Sequence, residues 1–142
     1  MKVINGENMI LGRMASYIAK ELLLGEEIAL VNCEKIVISG SRQQILNRQK
    51  LKQQRGHPRY GPFTYRRPDS FVKRTIRGMV PRKKIRGREA LKKIKCYIGL
   101  PKQFQESKLE TIEKANLKKI PNLKYTTVEE ICKILGGKWQ QK

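Results

Sequence analysis

The spacing of apolar residues predicts the first helix and the strands around it. From Gly12 onward, apolar positions recur at helical intervals and a glycine stands where a C-terminal cap is expected: Ala15, Ile18, Ala19, Leu22, Leu23 and Gly25. This periodicity predicts an amphipathic helix. Before it, the short apolar stretches 3–4 and 9–11 flank a turn at Asn5 and Gly6, so at least one of them should be a strand.

Two continuous apolar runs follow this helix, Ile28–Val31 and Ile36–Ile38. Neither run alternates with polar residues, which is typical of strands that helices cover on both faces. Strand, helix and strand in this order are typical of a parallel α/β sheet. We therefore predict an α/β fold.

The next predicted helix has a different character. Ser41 can cap a helix over residues 42 to about 54. Few of its residues are apolar, whereas Arg48, Lys52 and Arg55 recur at positions i, i+4 and i+7 and would form one basic stripe. Such a helix should lie on a binding partner and not in the core.

Glycine and proline divide the following segment. Residues 56–68 contain three Pro and two Gly, which predicts an extended, stiffened loop. Ser70 can then cap a short helix that Pro81 ends, and a second short helix and a strand at 96–98 should follow the basic residues 82–88. The inward-facing positions of the two helices are predicted to be Val72, Ile76 and Val80, and Ala90, Leu91 and Ile94.

Beyond Pro101 the charges are mixed in sign, and one further helix is predicted. Thr127 can cap it and Glu130 completes a capping box. Its core-facing positions are Val128, Ile131, Cys132 and Leu135. A chain of 142 residues fits one domain, and we treat residues 102–142 as its C-terminal extension.

The positive charge is concentrated in the middle of the chain. The sequence has 32 Lys and Arg against 12 Asp and Glu, a formal net charge of +20. Residues 42–95, the basic segment, contain 19 of the basic residues and two acids, and so carry +17. A charge that served only solubility would be mixed in sign. The asymmetry predicts a polyanionic partner, most simply nucleic acid, with a membrane surface as the competing polyanion.

Other classes of protein fit the sequence less well. The apolar runs are far shorter than the ~20 residues of a membrane-spanning helix, and polar residues interrupt the N-terminal stretch where a secretory signal has its apolar core. We therefore expect a cytosolic protein. Its three cysteines, Cys33, Cys96 and Cys132, are widely spaced, and we expect them to be reduced and buried.

Residues 56–67, the aromatic loop, are the first candidate binding surface. Guanidinium groups bind phosphates in a bidentate manner, and flat rings stack on unpaired bases for ~1–3 kcal/mol each. In and beside this loop, basic residues alternate with rings: Arg55, His57, Arg59, Tyr60, Phe63, Tyr65, Arg66 and Arg67. The alternative is a solvated loop whose rings pack into the core.

The second candidate surface spans residues 73–88, where arginine predominates. Gly78 and Gly87 would let the backbone approach a phosphate closely. The alternative is an ordinary basic surface helix. A third, weaker feature is the pair of helix starts at Gly12–Arg13 and Gly40–Arg42, whose free N–H groups can hold an anion, as they can in any parallel α/β domain.

Catalytic and metal-binding patterns are missing from the sequence. It has neither G-x-G-x-x-G nor G-x-x-x-x-G-K-[ST]. His57 is the only histidine, and neither it nor Asp69 and Glu89, the two acids of the basic segment, belongs to a recognisable catalytic motif. One His and three scattered Cys lack zinc-site spacing. We therefore predict no enzymatic activity, cofactor, metal or small-molecule substrate.

Several stretches match a known family. They are Gly12–Ser16, Val31–Gly40, Gly61–Pro62 and Arg74–Pro81, together with Arg86, Gly87, Ala90, Leu91, Lys95, Tyr97, Gly99 and Pro101. Over most of its length the chain resembles the universal large-subunit ribosomal protein thirteen family in its archaeal and eukaryotic form. The resemblance implies a three-layer α/β/α domain with a mainly parallel four-stranded sheet, a structural role in the large subunit, and binding to its rRNA.

We therefore expect large-subunit rRNA and neighbouring large-subunit proteins as partners, in the cytoplasm. The residues predicted to contact RNA are Arg13, Arg42, Arg48, Lys52, Arg55, His57, Arg59, Tyr60, Tyr65, Arg66, Arg67, Lys73, Arg74, Arg77, Arg82, Lys83, Lys84, Arg86 and Arg88. Two rival hypotheses are an RNA-modifying or nucleotide-using enzyme, which would need a ligand cleft, and a chromatin-like DNA binder. The DNA binder would bind duplex DNA as tightly as folded rRNA.

Overall fold

Four parallel strands form the centre of the molecule. The structure is a computed structural model that describes residues 1–57, 59–121 and 124–139. In chain order its elements are β1 (Lys2–Asn5), α1 (Leu11–Leu24), β2 (Ile28–Val31), β3 (Val37–Ser39), α2 (Arg42–Gln54), α3 (Pro68–Met79), α4 (Ile85–Lys92), β4 (Ile94–Cys96), β5 (Leu109–Glu110), β6 (Tyr125–Thr127) and α5 (Val128–Ile134). The central sheet has the order β4-β2-β1-β5 with every pair parallel. The predicted α/β fold with a four-stranded sheet is confirmed.

Side chains of the central strands alternate between two apolar layers. Ile4, Ile28 and Leu30 belong to the larger layer, where they pack with residues of α1 and α3 and are at most 1% exposed. The opposite layer contains Val3, Ala29 and Val31, together with Phe104 from the 3-10 turn Lys102–Phe104. The sheet is thus covered by helices on one face and by the chain segment after β4 on the other.

The first helix agrees with its predicted pattern except at one position. Gly25 follows α1 in the left-handed conformation, with φ of 105°, as a C-terminal glycine cap requires. Leu23, one of the apolar positions of the predicted helical period, is 41% exposed. The buried stripe instead begins earlier, at Leu11 and Met14, and Leu23 lies about 100° around the helix from the buried Leu22.

The apolar run Ile36–Ile38 does not join the parallel sheet, and this part of the prediction is wrong. β3 instead pairs antiparallel with β6 in a separate two-stranded sheet. Only residues 32–36 separate β2 from β3, whereas a parallel crossover needs a dozen or more residues. Asn32, with φ of 55°, and the 3-10 turn Cys33–Lys35 redirect the chain here.

Three boundaries in the basic segment also differ from the prediction. α3 begins at Pro68, so Ser70 lies inside the helix and does not cap it; proline is tolerated there because the first N–H groups of a helix have no helical partner. α4 ends at Lys92, and Ile94 therefore faces the core from β4 and not from a helix. The strand predicted at 96–98 starts two residues earlier.

The C-terminal helix α5 begins as the sequence predicts, although only half of the capping box forms. Thr127 Oγ1 accepts a hydrogen bond from the Glu130 N–H at 3.3 Å. The Glu130 carboxylate forms an ion pair with Arg42 at the start of α2. Of the three unpaired cysteines, Cys33 and Cys132 are buried as predicted, whereas Cys96 is only half-buried.

Candidate nucleic-acid interface

The helix α2 presents the predicted basic stripe to solvent. It runs over residues 42–54 as predicted, all of these residues are described, and none is buried. Ser41 is the N-cap residue, but its side chain makes no capping hydrogen bond to a described residue. Arg48, Lys52 and Arg55 are all exposed. Partial burial, and then repulsion from Arg48 and from Arg74 of α3, lowers the pKa of Lys52. The positive charges of α2 and α3 are therefore close enough to repel one another.

The rings of the aromatic loop face outward. Tyr60 is 78% exposed, Phe63 67% and Tyr65 41%, so these rings do not pack into the core. His57 and Gly61 exchange two backbone hydrogen bonds of 3.0 and 2.9 Å, which form a tight turn. The His57 ring lies 5.2 Å from that of Tyr60 at an interplanar angle of 32°. Pro58, one of the three prolines of the prediction, lies outside the described residues.

Arg74 connects the aromatic loop to α3. Its guanidinium carbon lies 5.3 Å from the centroid of the Tyr65 ring, a cation–π distance. One guanidinium nitrogen donates a hydrogen bond of 3.1 Å to the carbonyl of Phe63. Arg74 thus holds the loop in place, and one face of the Tyr65 ring is already covered by a cation.

Three further predicted cations have partners within the protein. Arg42 pairs with Glu130 across the chain, and Arg67 pairs with Asp69 at 3.0 Å. The ammonium group of Lys73 donates to the carbonyl of Ile94 at 3.1 Å. These contacts stabilise the fold, and of the three only Lys73, which binds a neutral carbonyl, keeps an unpaired positive charge. Arg77 is half-buried. The carbonyl oxygen of Arg66 packs against the backbone of Gly137, and a Cβ added to Gly137 would lie 2.2 Å from that oxygen.

A further group of exposed cations lies in residues 82–88, the basic turn, which connects α3 to the first turn of α4. They form no ion pair with any described residue: Arg82, Lys83, Lys84, Arg86 and Arg88. Gly87, however, has a structural cause: it is buried, and a Cβ there would lie 2.2 Å from the carbonyl oxygen of Pro81. The predicted phosphate approach at Gly87 is therefore wrong. Gly78 is exposed, and a Cβ added to it would meet no described atom within 4 Å.

The two predicted anion-holding helix starts lie side by side. Arg13, Gly40 and Ser41 line one shallow cavity of about 360 Å³, and Arg13 also lines the adjoining cavity beside Gly12. Lys124 borders the first cavity, and its carbonyl accepts a 2.8 Å hydrogen bond from the Gly40 N–H. Sequence reasoning missed Lys124, because no local pattern connects it with Gly40.

The remaining candidate groups have simple structural explanations. Asp69 accepts from the Ser70 N–H at 2.7 Å as well as pairing with Arg67. Within residues 1–57, 59–121 and 124–139, no group of three or more His, Cys, Asp or Glu side chains is placed to hold a metal ion. No helix in these same ranges is both long enough and apolar enough to cross a membrane.

Comparison with known proteins gives consistent matches. The sequence model of the family described as "Ribosomal protein L13" matches residues 1–103. The large ribosomal subunit protein uL13 of Methanosarcina barkeri is 43% identical over 140 residues, which cover 98% of this chain and all of the relative. That of Methanocaldococcus jannaschii is also 43% identical, over 143 residues with the same coverage. That of Methanococcoides burtonii is 39% identical over 139 residues, again with 98% of this chain and all of the relative covered.

Proposed function

Because this chain belongs to the ribosomal protein L13 family, we propose that it is a structural constituent of the large ribosomal subunit that binds large-subunit rRNA through its basic segment. In this role it supports subunit assembly and translation in the cytoplasm, as one domain over residues 1–142. Neighbouring proteins of the large subunit are its other partners. The role needs no catalytic step, cofactor or small-molecule substrate.

The observation that carries this proposal is the concentration of exposed positive charge. The basic segment carries +17 of the net +20, and its α2 stripe and basic turn have no ion-pair partner among the described residues. Such unpaired charge repels itself in the free protein and is neutralised by phosphates. A surface of this kind favours a partner with closely spaced negative charges.

The proposed contacts differ in kind along the segment. Cations of α2 and the basic turn neutralise phosphates, while the exposed rings of Tyr60 and Phe63 stack on unpaired bases of folded RNA. Lys73 and Arg74, whose protein partners are neutral carbonyl groups, keep their positive charge and add a second contact through their remaining N–H groups. Arg42, whose charge is paired with Glu130, shapes the surface. The helix starts at Gly12 and Ser41, with Arg13 between them, hold further phosphates.

Three experiments test the proposal. Sucrose-gradient sedimentation of a cell lysate should place the chain with the large subunit, and purified large subunits that lack it would refute the role. Binding in moderate salt should favour refolded large-subunit rRNA over duplex DNA of equal length. Equal affinity for both would support a general DNA binder, and saturable binding of a nucleotide or methyl donor by calorimetry would support an enzyme.

A further inference from the structure

A solvent-open cleft lies beside β4, away from the α2 stripe in sequence and different from it in chemistry. Its volume is about 1090 Å³, slightly above the ~300–1,000 Å³ range of ligand pockets. The chain after β4 forms much of its lining, together with the start of α3 and the end of the described chain. The apolar residues of this cleft, the β4 cleft, are Tyr97, Ile98, Leu100, Pro101 and Trp139.

The apolar lining of the β4 cleft distinguishes it from the RNA-contacting surface. All five of these side chains are half-buried, so each keeps part of its surface exposed. Contiguous apolar surface that remains exposed in a soluble protein commonly marks a contact with another protein. Ile98, Leu100 and Pro101 offer a phosphate no hydrogen-bond donor, because their side chains are hydrocarbon.

One edge of the central sheet opens next to this cleft. β4 is an edge strand of the central sheet. The Lys93 carbonyl accepts a hydrogen bond from the Ile28 N–H, and the Tyr97 N–H donates one to the Leu30 carbonyl, so the backbone groups of Lys93 and Tyr97 face β2. By alternation, the backbone groups of Ile94 and Cys96 face away from β2. Lys73 already occupies the Ile94 carbonyl. Among the described residues, no hydrogen bond uses the outward N–H and C=O of Cys96, which lines the cleft.

The charges around the cleft favour an acidic occupant. Arg67, Lys102 and Lys138 border it, with Asp69 as the acid. Arg67 and Asp69 neutralise each other in an ion pair of 3.0 Å, so Lys102 and Lys138 leave the rim positive. A ligand with a carboxylate beside an apolar side chain complements the positive rim and the apolar lining of the cleft.

We propose that the β4 cleft docks an extended segment of a neighbouring large-subunit protein. The segment forms backbone hydrogen bonds along the outer edge of β4 at Cys96, as peptides do when they add a strand to a sheet. Its apolar side chains contact Leu100 and Trp139, and its carboxylate pairs with Lys102 or Lys138. This inference rests on the proposed function, because it takes the partner from the large subunit.

Photocrosslinking in assembled large subunits tests this contact. The photoreactive amino acid p-benzoylphenylalanine replaces Ile98 in the cleft or, as the control, Ile85, which is 75% exposed in the basic turn. After irradiation of purified subunits, mass spectrometry identifies the crosslinked product. We expect the residue at position 98 to crosslink to a protein segment with apolar and acidic residues, and the residue at position 85 to crosslink to rRNA.

Variants of the cleft make the result specific. Leu100→Glu should lower the crosslinking yield from position 98 about tenfold, because it places an unpaired carboxylate against the docked segment. Lys138→Glu, at an exposed position, should lower it by charge reversal without affecting the core. The affinity of both variants for rRNA should stay unchanged.

Three outcomes would overturn the inference. They are a crosslink from position 98 to rRNA, a crosslink to residues of this chain itself, and no crosslink at all in subunits that contain the chain. Each of them would leave the proposed function intact. Absence of the chain from large subunits would instead refute the proposed function and, with it, this contact.

Discussion

The difference between free and paired arginines predicts how salt will affect RNA binding. Arg48 and Arg55 have no ion-pair partner among the described residues, whereas Arg67 pairs with Asp69 at 3.0 Å. Each phosphate contact contributes about 0.7 to 0.9 to the slope of log affinity against log salt concentration. The double variant Arg48→Gln with Arg55→Gln should therefore reduce that slope by about 1.4 to 1.8. Glutamine suits this test because its helix propensity is close to that of arginine.

The affinity for refolded, protein-free large-subunit rRNA is measured by filter binding between about 50 and 200 mM KCl, a range over which salt effects are large. Across this fourfold range of salt concentration, a slope smaller by about 1.5 has a simple consequence: the factor by which affinity falls should be about eightfold smaller for the double variant than for the parent. Arg48→Gln alone should reduce the slope by about 0.7 to 0.9. Its matched control, Arg67→Gln, should leave the slope unchanged and lower the free energy of unfolding by at most about 1 kcal/mol, as exposed pairs do.

Two results would contradict this expectation in different ways. If the double variant keeps the parent's slope while circular dichroism shows that its helices are intact, α2 does not face the RNA. If Arg67→Gln reduces the slope as much as Arg48→Gln does, the ion pair with Asp69 does not prevent a phosphate contact. In that case an ion pair within the protein would not show whether an arginine contacts RNA or only stabilises the fold.

Three further predictions concern the fold. Gly87→Ala should lower the free energy of unfolding in urea by about 1–3 kcal/mol, because the added Cβ has no space. Gly78→Ala, the control, should be neutral or stabilising by up to about 1 kcal/mol. Equal effects would contradict the close packing of Gly87 against Pro81. Arg74→Lys should speed chymotrypsin cleavage within the aromatic loop but leave the salt dependence of RNA binding unchanged. Arg77→Lys, the control, should change neither. If cleavage is as slow in Arg74→Lys as in the parent, Arg74 does not hold the loop. Burial raises the pKa of Cys132 to about 12, so above pH 9 the folded state keeps a proton that the unfolded state loses, and stability should fall with rising pH. This fall should be less steep in Cys132→Ala, measured by urea unfolding between pH 8 and 10, and an identical pH dependence would exclude the buried thiol as a cause.

Features encoded within about ten consecutive residues were predictable from the sequence. The apolar period of α1 with Gly25 after it, the bounds of α2, and the cap at Thr127 all depend on neighbours in the chain. The basic segment was equally visible, because charge can be counted without knowing the fold. Local patterns therefore predicted the helices and the general location of the candidate interface.

Features that depend on distant residues were not predictable in this way. β5 has only two residues, Leu109–Glu110, and becomes a strand because it pairs with β1. Similarly, the partner of Arg42 is Glu130, far away in the sequence. The composition around Gly87 suggested an open phosphate site, and only the approach of the Pro81 carbonyl shows why glycine is required there. Which cations are free thus depends on tertiary contacts.

The absence of any buried residue in α2, all of which is described, has a consequence for its local stability. An isolated helix of about 12 to 15 residues is only marginally stable in water, and in most proteins a packed apolar face supplies the rest of the stability. Without that support, the backbone amides of α2 should exchange with deuterium far faster than those of α1, whose inner face is buried. RNA binding would then slow exchange chiefly in α2, so hydrogen exchange can locate the contact without any substitution.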